Sequence, residues 1–249
     1  MAKSPIFDHK LRLKKPAESS TVTGPCCSPA SSSNERWYGI EEQLSQSTAR
    51  ATFGITALTA TGTAALFSDA TGAYINYLSG TGLSAVAGWT NANAVGHTIH
   101  IQHLPDMLFV MKTGAGATDI ANLRIWAGLH SNGSLATDVP GSLGISGLAF
   151  RYSTVAGDTT WQATSFDGVG DTVTNTGIAV TANTRYVLRI KVVSTALVEY
   201  YINGSLVATL STTLPAAATN IFFAFLHTVN AVAGTARNIR IRKVYIDAL

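Results

Sequence analysis

Charge is what this 249-residue sequence lacks most. Asp, Glu, Lys and Arg supply 12% of the residues, against roughly 25% in an ordinary soluble domain. The hydrophobic share, 46%, is normal. Scarce Glu and Lys exclude a helix bundle or coiled coil. A disordered chain is excluded too, because hydrophobicity is too high and the net charge of +3 too low. No run approaches the roughly 18 apolar residues of a membrane-spanning helix. The basic excess is too small for a nucleic-acid binder held by bulk charge. Cysteine is nearly absent. Cys26 and Cys27 are adjacent, and Cα atoms about 3.8 Å apart preclude a relaxed disulfide. Two thiols alone cannot complete a zinc site, so they read as bystanders. The start MAKSPIFDHK has no apolar run of a secretory leader, so synthesis in the cytoplasm of the producing cell is expected.

The charge that is present sits at the ends. Residues 51–236 hold six basic and eight acidic groups, a nearly neutral body. The densest basic run is KSPIFDHKLRLKK near the start, and Arg237, Arg240, Arg242 and Lys243 lie close to the other end. Such a run is commonly a solvated tail; the functional alternative is an arm that docks on an acidic partner. Residues 16–34 are rich in proline and serine and hold no aromatic residue, the composition of a linker. Trp37, Tyr38 and Ile40 mark renewed packing. The run EEQLSQSTAR from Glu41 to Arg50 stays open between a brief helix and coil. The expected division is an extended N-terminal arm and linker over residues 1–50 and a β domain over 51–249.

From Thr52 onward, short apolar runs alternate with Gly, Asn, Asp, Ser and Thr. Candidate strands are 64–67, 73–78, 97–102, 107–112, 122–129, 147–152, 161–165, 185–193, 198–202, 205–212, 221–227 and 239–246. Many short strands without helical periodicity predict an all-β sandwich or barrel. In Arg185–Val193, Tyr186, Leu188, Ile190 and Val192 share one face, and Val187, Arg189 and Lys191 share the other, the pattern of a strand with one wet side. Asn203-Gly204 between two β-rich runs predicts a type I′ hairpin. The apolar run Ile221–Leu226 predicts a central strand. Asn238–Lys243 alternates and then slips phase at Lys243, as a bulge would cause. Arg240 and Arg242 on that last strand read as a charge-guarded edge, with a contact surface as the alternative.

The order of motifs carries a resemblance. WQATSFDG is followed by DTVTNTGIAVTANTRYVLRIKVV, then VEYYINGSLVATLSTTLP, then a hydrophobic strand and a closing IRKVYID. Together with FVMKTGAGATDIANLRIWAGLHS at 109–131, this resembles the concanavalin A-like (laminin-G-like) jelly-roll domains of bacteriophage virion proteins. The similarity spans roughly residues 98–247; the first 50 residues match no such pattern. It implies a double-sheet jelly roll and a structural role in a virion, on head or tail.

Catalysis by glycoside cleavage needs two carboxylates about 5–5.5 Å apart for retention of configuration. Glu199 is the only glutamate after residue 50, and no E-x-D-x-E run is present. Asp158, Asp167 and Asp171 lie in Gly-rich turns, where Asp satisfies backbone groups; a calcium site at Asp167 and Asp171 is the alternative. His97, His100 and His103 alternate faces on a regular strand and so cannot converge on one metal. No G-x-S-x-G elbow and no phosphate-binding loop appears. No metal or cofactor is expected. Trp126 and Tyr201 are the candidate glycan-stacking residues, with core packing as the alternative for each aromatic.

These readings lead to a non-enzymatic virion structural protein, either head decoration or tail fibre. Its arm would anchor through Ile6, Phe7, Leu11 and Leu13, with Lys10, Arg12, Lys14 and Lys15 meeting an acidic surface of another virion protein. A homo-oligomer is expected, with a trimer as one option. The alternative is a carbohydrate-binding module for host-cell glycans. Neither nucleic acid nor membrane is expected as a partner.

Overall fold

The computed structural model describes residues 38–43, 56–59, 63–90, 99–131, 135–218 and 223–248. Fifteen strands occupy them: β1 (Tyr38–Gln43), β2 (Thr56–Thr59), β3 (Thr63–Asp69), β4 (Gly72–Leu78), β5 (Val86–Thr90), β6 (Asp106–Thr113), β7 (Leu123–His130), β8 (Ser146–Ser153), β9 (Thr160–Asp167), β10 (Asp171–Ala179), β11 (Arg185–Ser194), β12 (Leu197–Ile202), β13 (Ser205–Leu210), β14 (Phe223–Asn230) and β15 (Asn238–Ala248). They form two antiparallel sheets. The eight-stranded sheet runs β13-β12-β11-β6-β15-β4-β3, with β1 also paired to β15. The seven-stranded sheet runs β10-β9-β8-β7-β14-β5-β2.

Alternation builds the core between the sheets. Tyr186, Leu188, Ile190 and Val192 of β11 are buried there, as are Leu123, Ile125, Ala127 and Leu129 of β7. A cluster of rings spans the gap. Trp161 meets Tyr186 at 5.5 Å and Phe150 at 6.3 Å, and Phe150 meets Tyr200 at 5.2 Å. Tyr200 also ties the sheets by a hydrogen bond: its hydroxyl donates to the Thr164 carbonyl at 2.7 Å, so the one polar atom of a fully buried ring is satisfied.

Several expectations hold. Asn203 (φ 52) and Gly204 (φ 88) form the hairpin turn between β12 and β13, and the Asn203 side chain accepts the Val187 N–H at 2.9 Å. β14 lies between β7 and β5. The phase slip of β15 is a register shift between Ile241 and Lys243. It lets Ile239 and Ile241, then Val244 and Ile246, all enter the core.

Other expectations are corrected. β15 is no edge: β6 flanks it on one side, β4 and β1 on the other. Its arginines therefore stand on the outward face of a central strand. The candidate strand at 97–102 is replaced by a tight turn at Ile101–His103. Ile99 and Ile101 are both buried, but Leu104 (φ 47) closes the turn by donating to the Ile101 carbonyl. The alternation was real; its cause was two apolar anchors bracketing a turn. Four strands were not among the candidates, although Tyr38 and Ile40 of β1 marked renewed packing. β2 and β5 are very short. β10 is mostly polar and lies at a sheet edge, where little apolar surface is needed. β1 falls inside the stretch read as arm and joins the eight-stranded sheet. It includes Glu41–Gln43, the start of the run left open between helix and coil.

Candidate functional site

Each sheet has one outward face, and the two faces differ. On the seven-stranded sheet, Trp126, Ala149 and Phe166 point away from the main core. The segment 135–145 lies over them, and Leu135 and Ile145 complete a second small apolar cluster. Trp126 and Phe166 meet edge to face at 6.2 Å. Gly147 makes room: a Cβ there would sit 2.5 Å from the Phe166 ring and 2.3 Å from the Leu129 carbonyl.

Two ion pairs fasten this covering. Arg124 binds Asp138 through both carboxylate oxygens at 2.9 and 3.0 Å. Arg151 binds Asp158 in the same forked way at 3.0 and 3.1 Å and also donates to the Asp138 carbonyl at 2.8 Å. Forked Arg–carboxylate pairs fix geometry as well as charge. Trp126 was a candidate glycan contact, and this placement corrects it. The ring is fully buried, because the outward face of β7 is covered by chain that the alternation of β7 alone does not reveal.

The outward face of the eight-stranded sheet is charged, and part of it is buried: Lys112 and Arg240 are 3% and 6% exposed. Tyr201 stands there half-buried, opposite Arg189. Its hydroxyl donates to Glu199 at 2.5 Å, and the Arg189 guanidinium lies 5.4 Å from its ring centre. That bond to Glu199 holds the Tyr201 phenol above its ordinary pKa. Arg189 in turn forks onto Asp106 at 2.8 and 2.5 Å. Further along, Arg185, Lys112 and Arg240 occupy one register row across β11, β6 and β15. Lys112 is paired with Asp69. Arg240 packs over the Phe67 ring at 3.8 Å.

Asp69 accepts from Lys112 first, then from the Thr71 hydroxyl and N–H, and these bonds hold its carboxyl well below the usual range. The folded state therefore binds this proton less readily than the unfolded chain. The stabilisation is present above the ordinary carboxylate pKa and is lost as pH falls through and below it. Asp69→Asn should thus lie below the parent in melting temperature at neutral pH and converge with it in acid. Parallel curves down to low pH would refute this assignment.

The remaining candidates are structural. Asp167 accepts the N–H groups of Val169 and Gly170, each at 2.9 Å, which lowers its carboxyl pKa. Asp171 accepts the Gly141 N–H at 2.9 Å. Both do the turn-making that Asp does in Gly-rich loops. His100 and His103 stand with ring centres 5.3 Å apart, and burial, then the neighbouring His100, lowers the His103 pKa. His97 lies outside the described residues, as do Cys26, Cys27 and the arm residues Ile6, Phe7, Lys10, Leu11, Arg12, Leu13, Lys14 and Lys15. Among the described residues no group of three or more His, Cys, Asp or Glu side chains is placed to hold a metal. The register row of Arg185, Lys112 and Arg240 was missed in the sequence. Each cation is visible on its own strand, but only the pairing of three distant strands aligns them.

The sequence matches no protein-family model and no curated protein. Solved structures do resemble the fold. A protein of unknown function from Shewanella oneidensis MR-1 superposes with TM-score 0.60 at 14% identity, over 91% of this chain and 96% of that one. Lectin II from Ulex europaeus gives 0.54 at 11% identity, over 86% and 100%. An endo-β-1,4-glucuronan lyase from the fungus Trichoderma reesei gives 0.55 at 10% identity, over 86% and 96%. Two antiparallel sheets, this strand order and these likenesses make the chain an all-β, double-sheet jelly roll of the lectin-like, concanavalin A-like kind.

Proposed function

We propose that this chain is a non-catalytic structural component of a bacteriophage particle, its jelly roll projecting from a head or tail surface and its N-terminal arm holding it there. The observation that carries the non-catalytic part is the state of the carboxylates. Asp69, Asp106, Asp138 and Asp158 are held in ion pairs. Asp119, Asp167 and Asp171 accept backbone N–H groups. Glu199 and Asp247 accept tyrosine hydroxyls. A general acid must be poised beside a bond to be broken; these groups are engaged in holding turns and strands.

The particle assignment rests on the motif order described above, and the anchoring role on the composition of the arm. An arm that orders on docking can wrap a large partner surface. Ile6, Phe7, Leu11 and Leu13 are the apolar anchors, and Lys10, Arg12, Lys14 and Lys15 meet acidic groups on another virion protein. Removing residues 1–36 retains β1 and should leave a folded domain that no longer joins particles. Incorporation at the parental level by the truncated chain would sink the proposal.

Tyr201 favours a second reading, a module that binds host-cell glycans. A half-exposed ring flanked by Arg189 and Glu199 offers a sugar both a stacking face and hydrogen-bonding groups. On a glycan array, Tyr201→Ala should lose the binding shown by the parent chain. Equal binding by both would remove Tyr201 from any glycan site.

A further inference from the structure

Among the described residues ten large aliphatic side chains are exposed, and four of them belong to one region: Val139, Leu143, Val169 and Val173. Val139 and Leu143 lie in the segment that covers Trp126. That segment meets the turn between β9 and β10 backbone to backbone. A Cβ on Gly141 would sit 2.1 Å from the Gly170 carbonyl oxygen, and one on Gly168 would sit 3.6 Å from that of Gly144. Leu143 and Val169, each one residue away, therefore stand on adjoining turns. Val173 is two residues past Asp171, which is opposite Phe166, so it faces outward as Phe166 does. The forked Arg124–Asp138 pair and the Arg151 bond to the Asp138 carbonyl fix the segment in place. Exposed apolar groups gathered in one place mark an interaction surface, and one that is already rigid costs less to bind.

Two carboxylates stand among these side chains. Asp167 and Asp171 accept backbone N–H groups, but among the described residues neither is in an ion pair. The arginines of the covering, Arg124 and Arg151, are engaged by Asp138 and Asp158. The surface is thus apolar with a net negative charge. A fitting partner is a segment that joins large apolar side chains to an excess of basic ones. The chain holds such a segment outside the described residues. KSPIFDHKLRLKK, residues 3–15, carries Ile6, Phe7, Leu11 and Leu13 with Lys3, Lys10, Arg12, Lys14 and Lys15, against Asp8 alone.

Strand register puts the start of β1 at the same end of the sandwich. Tyr38 is opposite Ala248, Asp247 opposite Asp106, and Asp106 opposite Lys191. Val192 is then opposite Val198, and Val198 opposite Leu210. Just beyond Leu210, the Thr213 hydroxyl bonds that of Thr172, beside Asp171. The 22 residues between Lys15 and Tyr38 can span up to about 75 Å, enough to reach a neighbouring molecule. We propose that the surface of Val139, Leu143, Val169, Val173, Asp167 and Asp171 is the docking site for residues 3–15 of a second copy of this chain. Ile6, Phe7, Leu11 and Leu13 cover the aliphatic side chains, and the basic residues meet the two carboxylates. This rests on the anchoring role of the arm and names its partner: neighbouring copies on the particle hold one another.

The test uses full chains, with mass in solution read by light scattering over a concentration series. The parent should self-associate, and less strongly as salt rises. Leu143→Asp with Val169→Asp should weaken association at least about 10-fold, because unpaired carboxylates would enter the contact. Val169 is 84% exposed, so Val169→Asp alone decides if the double change harms folding. Leu11→Asp with Leu13→Asp in the arm should weaken association to the same degree. Val232→Asp, at an exposed aliphatic residue elsewhere, should leave it unchanged. Mixing the two double variants should restore a pair, since one supplies an intact arm and the other an intact surface. A monomeric parent, association indifferent to salt, undiminished association of either double variant, or a mixture that stays monomeric would overturn the proposal. Incorporation into particles tests the anchoring role apart. If the parent is monomeric and the arm variant still fails to join particles, this proposal falls and the anchoring role stands.

Discussion

Trp161→Ala should lower the free energy of unfolding by about 3–5 kcal/mol. It should lower the melting temperature by roughly 6–20 °C for a domain of this size. Trp161 is fully buried, and its ring touches partners from both sheets. Phe150 and Tyr152 come from the adjacent strand β8, and Tyr186 comes from β11 across the core. Removing it opens a hole at the centre of this cluster, and three stiff rings cannot collapse into it. The loss then combines lost transfer energy with a residual cavity. Trp161→Phe fills much of the space and should cost less than half as much. Urea unfolding followed by circular dichroism gives both values; a loss under about 1.5 kcal/mol for the alanine variant would show that this ring does not bridge the sheets.

Asp158→Ala should be comparably damaging, by about 3–5 kcal/mol, for a different reason. The Arg151 and Asp158 side chains are each 8% exposed. Truncating the acid leaves a buried guanidinium without its counter-charge, and it also strips the Ser153 N–H of its acceptor. The cost is that of the stranded partner more than the worth of the pair. Arg151→Met added to Asp158→Ala should therefore recover part of the loss. Recovery stays partial because Arg151 also donates to the Asp138 carbonyl. A double variant less stable than Asp158→Ala alone would refute this account. Asp158 was legible as a turn residue, which it is; its role as counter-charge to a buried arginine was not, because Arg151 reaches it from the end of the preceding strand.

Trp126 and Arg240 show where a one-strand reading stops. Alternation in β7 correctly put Trp126 with Arg124 and Gly128, away from Leu123, Ile125 and Ala127. It could not say that residues 135–145 return to cover that face, since of their scattered apolar residues only Leu135 and Ile145 are buried in that cluster, while Val139 and Leu143 are exposed. Alternation in β15 correctly put Arg240 outward. Whether outward on that strand means edge, surface or row depends on its neighbours. Those neighbours, β6 and β4, are far away in the chain.

The sequence by itself determined the class of this protein and much of its local geometry. Low charge, absent helical periodicity and alternating runs specified an all-β sandwich or barrel, and the order of motifs pointed to the double-sheet form. The Asn-Gly turn, the bulge in β15 and the opposed Tyr200 and Tyr201 followed from neighbours within a few residues, where backbone sterics and side-chain period act directly. Only the tertiary structure decided which outward-facing residues are covered. It covered Trp126, left Tyr201 half-exposed, placed β15 in the middle of its sheet and aligned Arg185, Lys112 and Arg240. The reason is that strand order and register are set by burial summed over both sheets. No single strand carries that information.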